Sequence, residues 1–89
     1  RRILFIGSFA HLPNVLALDF FLREVWPHLH DLGLTLHIIA GSRHRYFLER
    51  HQEQVRIDLD HPSIEVEDFV ADVRPAYNQA AVVIAPLVA

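Results

Sequence analysis

Gly7, Ser8, Phe9, His11 and Asn14 form the densest group of residues in the chain able to meet a small ligand. A glycine that ends an apolar run lets the backbone approach a bound group, because it carries no Cβ. The Ser8 hydroxyl and His11 imidazole can donate hydrogen bonds, and an imidazole does so charged or neutral near neutral pH. Asn14, just after Pro13, has a side chain suited to capping a helix by accepting from an exposed backbone N–H. A helix starting there points its free N–H groups and positive dipole end back at the same loop, which favours a phosphate. Gly41-Ser42 ends a second apolar run and Phe69-Val70 closes the alternating stretch that begins at Ser63, so both pairs fall at strand ends, where a ligand can be met. Each also has an ordinary reading. Gly7, Ser8, Gly41 and Ser42 suit plain turns, Asn14 suits a cap alone, His11 suits a solvated loop, and Phe69 suits the edge of a core.

Seven histidines raise the question of a metal, and their spacing answers against it. His28 and His30 are two apart and point to different faces of a helix end. His44 and His51 are two helical turns apart with no third ligand between them. His37 lies inside a strand, and His61 stands in a loop with Asp58 and Asp60. Glu65, Glu67 and Asp68 read as a solvated strand face, without the partner a two-carboxylate mechanism needs. No catalytic residue, metal ligand or resident cofactor is assigned.

The totals narrow the classes further. All eight basic residues are arginine, so a lysine phosphate clamp is excluded within this chain. Cysteine is absent, which removes disulfides, thiolate chemistry and cysteine-bound zinc. A net charge of -3 argues against nucleic acid as the main partner. Eighty-nine residues make one small domain, and no apolar run is long enough to span a bilayer. The chain starts Arg1-Arg2, contains no methionine and ends on an apolar stretch, which reads as an excised piece of a longer protein.

The elements that must hold these residues follow from hydrophobic periodicity. Ile3–Ile6 is a continuous apolar strand of the kind buried on both faces. Val15, Leu18, Leu22, Val25 and Leu29 then recur at helical spacing, with Pro27 expected to end or kink the helix and Gly33 to close it. Leu34–Ala40 is the second strand and His44–Ile57 the second helix, with Phe47, Leu48, His51 and Val55 inward. Ser63–Phe69 is the third strand. Asp72 is expected to cap a short helix through Ala80 that carries Val73 and Tyr77 inward, and Val82–Ala85 is the fourth strand. The fold class is α/β, a three-layer Rossmann-like βαβαβαβ unit with a parallel four-stranded sheet in the order third, second, first, fourth. Ligands then belong at the carboxyl ends of the strands, in the segments Gly7–Asn14, Gly41–His44, Phe69–Asp72 and Pro86–Ala89.

On these residues the chain resembles a known family. Ile3–Pro27, with Gly7-Ser8-Phe9, His11-Leu12-Pro13-Asn14, Phe20-Phe21 and Glu24-Val25-Trp26-Pro27, is similar to the start of the C-terminal domain of group 1 glycosyltransferases of the GT-B fold. Leu36–Gly41 resembles the family's second strand ending in glycine. Val66–Val70 resembles its strand ending in Gly-Phe-Val, and Asp72–Leu87 the helix and strand leading to the donor-sugar loop. The resemblance covers nearly the whole chain and implies one subdomain over residues 1–89, the first half of a truncated nucleotide-sugar-binding domain. It implies a nucleotide-diphosphate sugar as the parent's donor substrate, with Gly7, Ser8, Phe9, His11, Asn14, Gly41, Ser42, Phe69 and Val70 near the nucleotide and phosphates. It also implies missing N- and C-terminal parts of the parent and a cytoplasmic enzyme, at most peripheral to the inner face of the membrane.

Three departures qualify that picture. The family's glycine-rich loop and paired glutamates should follow Leu87, where this sequence stops. The first loop lacks the Arg or Lys that commonly holds the pyrophosphate, and Asp68 replaces the glycine before Phe69. The piece is therefore not expected to catalyse sugar transfer alone. The rival is a flavodoxin-like regulatory or interaction module without enzymatic activity, a fold that hosts many functions. A receiver of that kind needs an acidic cluster after its first strand, which this chain lacks. A fourth strand at an exposed sheet edge further predicts homo-oligomer formation through that edge, or a disordered tail.

Overall fold

In a computed structural model, residues 1–86 are described; the expectations on Leu87–Ala89, including that of a disordered tail, lie outside them. Four strands form one sheet: β1 (Arg2–Ile6), β2 (Thr35–Ile39), β3 (Ile64–Glu67) and β4 (Ala80–Ile84). Their order is β3-β2-β1-β4 and every neighbouring pair is parallel, as the sequence pattern predicts. Phe5 lies opposite Ile38 on one side and Ile84 on the other. The chain therefore builds outward from β1 through β2 to β3, then crosses back to lay β4 against the free side of β1. The gap between β1 and β4 at their carboxyl ends is the switch point of the topology.

One face of the sheet carries the core. Ile3, Phe5, Leu36, Ile38 and Ala40 alternate onto it and meet α1 (Leu12–Glu24) through Val15, Leu18 and Phe21. The three-residue spacing of those helical positions puts them on one stripe, and Phe5, Val15, Leu18, Leu36 and Ile38 are fully buried. Short 3-10 turns at Trp26–His28 and His30–Leu32 follow, with Pro27 inside the first and Gly33 in a left-handed conformation (φ 74) after the second. Trp26 folds back into the same core. Among the described residues no helix is long and apolar enough to cross a membrane.

Strand bounds shift by one or two residues, β3 ending at Glu67 and β4 starting at Ala80, and the three helices differ more, each for a physical reason. Helix α1 begins at Leu12 with His11 as its N-cap, so Asn14 sits inside the first turn and not at the cap. Pro13 fits inside that turn because the orphan N–H it lacks would have no partner there. The second helix, α2, covers only His44–Arg50. Val55, Ile57 and Leu59 all pack on the core, and residues two apart share a side only in an extended chain. Apolar residues at positions 55, 57 and 59 thus unwind what helical spacing alone would have continued. Helix α3 (Arg74–Gln79) has Val73 as its cap, and Tyr77 is exposed where the pattern put it inward. Asp72 still accepts the Arg74 N–H at 3.1 Å, one residue before the place predicted for it.

Candidate ligand rim

The carboxyl ends of β1 and β2 are fastened to each other by backbone. Gly7 N–H donates to Ile39 O at 3.1 Å and Phe9 N–H to Ala40 O at 2.8 Å. This brings Gly41 against Ser8: a Cβ at residue 41 would meet Ser8 Oγ at 3.0 Å and Ser8 Cα at 3.2 Å. Gly41 also has φ +80, so both its space and its conformation disfavour a side chain. Gly7 is needed for a different reason. A Cβ there would lie 3.1 Å from Asn14 Cγ, since the Asn14 carboxamide packs directly on it.

Asn14 is 6% exposed, and its Nδ2 donates to the Ser8 carbonyl at 3.0 Å. Its Oδ1 is buried without a partner among the described residues. The residue is thus a tie between helix and loop, with one acceptor unspent. Ser8 closes the loop from inside: its carbonyl also accepts the His11 N–H, and its Oγ accepts the Ala10 N–H. His11 itself is exposed, and its carbonyl takes the Asn14 N–H. With Pro13 lacking an N–H, the start of α1 keeps fewer spare donors for an anion than a bare helix end does.

The other candidates separate into two groups. Phe9 is fully buried in the core, its carbonyl accepting from His51 Nε2 at 2.9 Å, so it supports the loop from below. Ser42 is exposed beside Gly41, and Phe69 is 69% exposed after β3. Val70 lines a groove of about 510 Å³ on the far face of the sheet with Arg2, His37, Glu65, Glu67, Asp72 and residues of α3. The structure therefore gathers Gly7, Ser8, Asn14 and Gly41, sets His11 and Ser42 on the surface of the same rim, and turns Val70 toward a different hollow.

Local spacing carries no signal for the contact between His44 and Asp68. His44 Nδ1 pairs with Asp68 Oδ1, linking the start of α2 to the end of β3. That hydrogen bond holds the Asp68 carboxyl below its ordinary value, helped by the backbone N–H groups of His44 and Arg43. The glycine-to-aspartate departure before Phe69 is thus used to tie two rim loops together. Phe9 meets the His44 ring edge-on, with centroids 6.1 Å apart. Asp72 is held below its ordinary value by the Arg74 guanidinium, which meets both its oxygens at 2.9 Å. Among the described residues no group of three or more His, Asp or Glu comes together as a metal site.

With the rim in place, the chain as a whole matches the family model described as glycosyl transferases group 1, over residues 1–89. The chain belongs to the group 1 glycosyltransferase family. No curated protein and no solved structure matches it significantly. For a group 1 glycosyltransferase the rim's exposed chemistry is sparse: the Ser42 hydroxyl, the His11 imidazole and the Phe69 ring.

Proposed function

We propose that this chain frames the donor-nucleotide site of a nucleotide-sugar-dependent glycosyltransferase, as the first half of the C-terminal domain of a GT-B enzyme. The observation that carries the reading is the convergence of Gly7, Ser8, Asn14 and Gly41 at the carboxyl ends of β1 and β2, in a chain that belongs to this family. Gly7 and Gly41 let the loops after β1 and β2 close tightly on each other, and His11, Ser42 and Phe69 stand exposed beside them.

In this role the chain binds and orients, while stabilisation of the leaving diphosphate comes from other parts of the parent. Calorimetric titration of the full-length protein carrying these residues with the common nucleoside diphosphates tests the reading. Binding of at least one is expected, and failure of all of them removes the proposal. The parent acts in the cytoplasm, at most at the inner face of the membrane. The β4 edge, with Val82 and Val83 exposed, is proposed to self-associate when nothing else covers it. Sedimentation of this chain should then show dimers that Val83→Lys disperses; a monomer at all concentrations speaks against it.

A further inference from the structure

We infer that Arg43 is the residue that grips the ligand's phosphates at this rim, from the second loop and not the first. The inference rests on the donor-site reading above. Between Gly7 and His11, between Asp68 and Val73, and from Ala85 to the end, the chain contains no Arg or Lys. Arg43, in the loop that joins β2 to α2, is thus the one permanent cation in the loops that follow β1, β2 and β3.

Its setting leaves the charge available. The guanidinium lies over the Tyr46 ring, 4.2 Å from its centroid, and 5.8 Å from that of Phe47. Stacking engages the flat face of a guanidinium and leaves its N–H edge open, the edge that matches two phosphate oxygens at once. Among the described residues Arg2, Arg23 and Arg74 are committed to carboxylates, whereas Arg43 has no ion pair. The rim carboxylates Asp68 and Asp72 have other partners, His44 and Arg74.

The backbone is set to the same end. Arg43 has φ 60 and ψ 38, and it is the one non-glycine with positive φ among the described residues. A side chain in that region costs free energy, and such costs collect where a residue must be aimed. Asp68 also receives the backbone at this point, with His44 N–H donating to its Oδ1 at 3.4 Å. The turn begins at Gly41, whose Cα backs onto Ser8, so Arg43 starts from the wall of the first loop. A lysine would keep the charge and lose both the fork and the stack.

Titration of the full-length protein with a nucleoside diphosphate and with the same nucleoside lacking phosphates tests the assignment. Arg43→Ala should weaken the diphosphate about ten- to a hundredfold and leave the nucleoside within about twofold, the range expected for losing a charge-assisted pair. Arg43→Gly, at ease at this φ, should show the same selective loss, which separates the guanidinium from the backbone. Arg43→Lys should recover only part of it. Unchanged diphosphate affinity in both Arg43→Ala and Arg43→Gly overturns the inference and leaves the donor-site reading standing. Equal loss for both ligands overturns it too, by assigning the residue to loop shape. If the unaltered protein binds no nucleoside diphosphate, the donor-site reading itself falls, and the inference with it.

Discussion

The two faces of this one sheet are built on opposite terms. Toward α1, Ile3, Phe5, Leu36, Ile38 and Ala40 join Val15, Leu18 and Phe21 in one buried apolar cluster. On the reverse, Leu4 and Ile39 are as well buried, but they share the face with Arg2, His37, Glu65 and Glu67. There His37 pairs with Glu67 on the neighbouring strand, and Arg2 reaches across β2 to Glu65. α3 lies along only part of that surface, leaving the groove of about 510 Å³ beside it. The difference teaches where stability and where adaptability lie. The α1 face fixes the strands; the charged face is held by pairs that water can compete for.

The largest effect should come from the first face. Phe5→Ala removes a fully buried ring from the centre of the core and should cost about 3–5 kcal/mol in denaturant unfolding. In a domain of this size that approaches the whole of its stability. A loss no greater than that of a substitution on the charged face would break the contrast. Next in size is Gly41→Ala, at the rim where the two faces end. The left-handed backbone and the 3.0 Å approach to Ser8 Oγ together should cost about 1–2 kcal/mol or more. Because Ser8 must move, the variant should also lose nucleotide affinity in the full-length protein, and unaltered affinity would separate Gly41 from the site.

The apolar face was also the legible part of the sequence. Ile3–Ile6, the Val15–Leu18–Leu22 stripe and Leu36–Ala40 carry strong periodic signals, so strand order and the position of α1 follow from them. The errors fall where two periods compete. Val55, Ile57 and Leu59 continue the apolar count of α2 while obeying the two-residue repeat of extended chain. Asn14 carried a real signal for the start of a helix but spends its side chain on the Ser8 carbonyl three residues before the cap. The rim was legible as a location and less so as chemistry. The His44–Asp68 pair joins residues 24 apart in sequence, and Arg43 depends on a left-handed turn, so neither leaves a mark in local spacing.

A smaller effect is expected at that tie. Asn14→Ala removes the bond to the Ser8 carbonyl, which still accepts from the His11 N–H, and it also removes the buried Oδ1 that has no partner. Gain and loss partly offset, so thermal unfolding should report a cost of about 1 kcal/mol. A cost well above that would mean that Oδ1 is engaged after all, by an ordered water or a group of the parent. The tie would then count with the core face and not with the rim.

The smallest effect belongs to the charged face and should appear only in acid. Hydrogen bonding to the Arg2 guanidinium holds the Glu65 carboxyl below its ordinary value of 4.5. A carboxyl whose pKa is lower folded than unfolded leaves the unfolded state binding more protons across the interval between the two. Its contribution is therefore complete above the ordinary value and is lost as the pH falls through the folded one. Glu65→Gln should cost less than about 1 kcal/mol at neutral pH, because half of the side chain is in water. Its stability should then converge on that of the parent chain as the pH drops from about 5 toward 3. Asp68 and Asp72, held low by His44 and Arg74, should steepen the acid limb of both proteins alike. Parallel curves that never converge would show that Arg2 and Glu65 are not paired in solution. In that case the face opposite α1 owes its order to Leu4 and Ile39 alone, and the contrast between the two faces narrows to how much apolar surface each one covers.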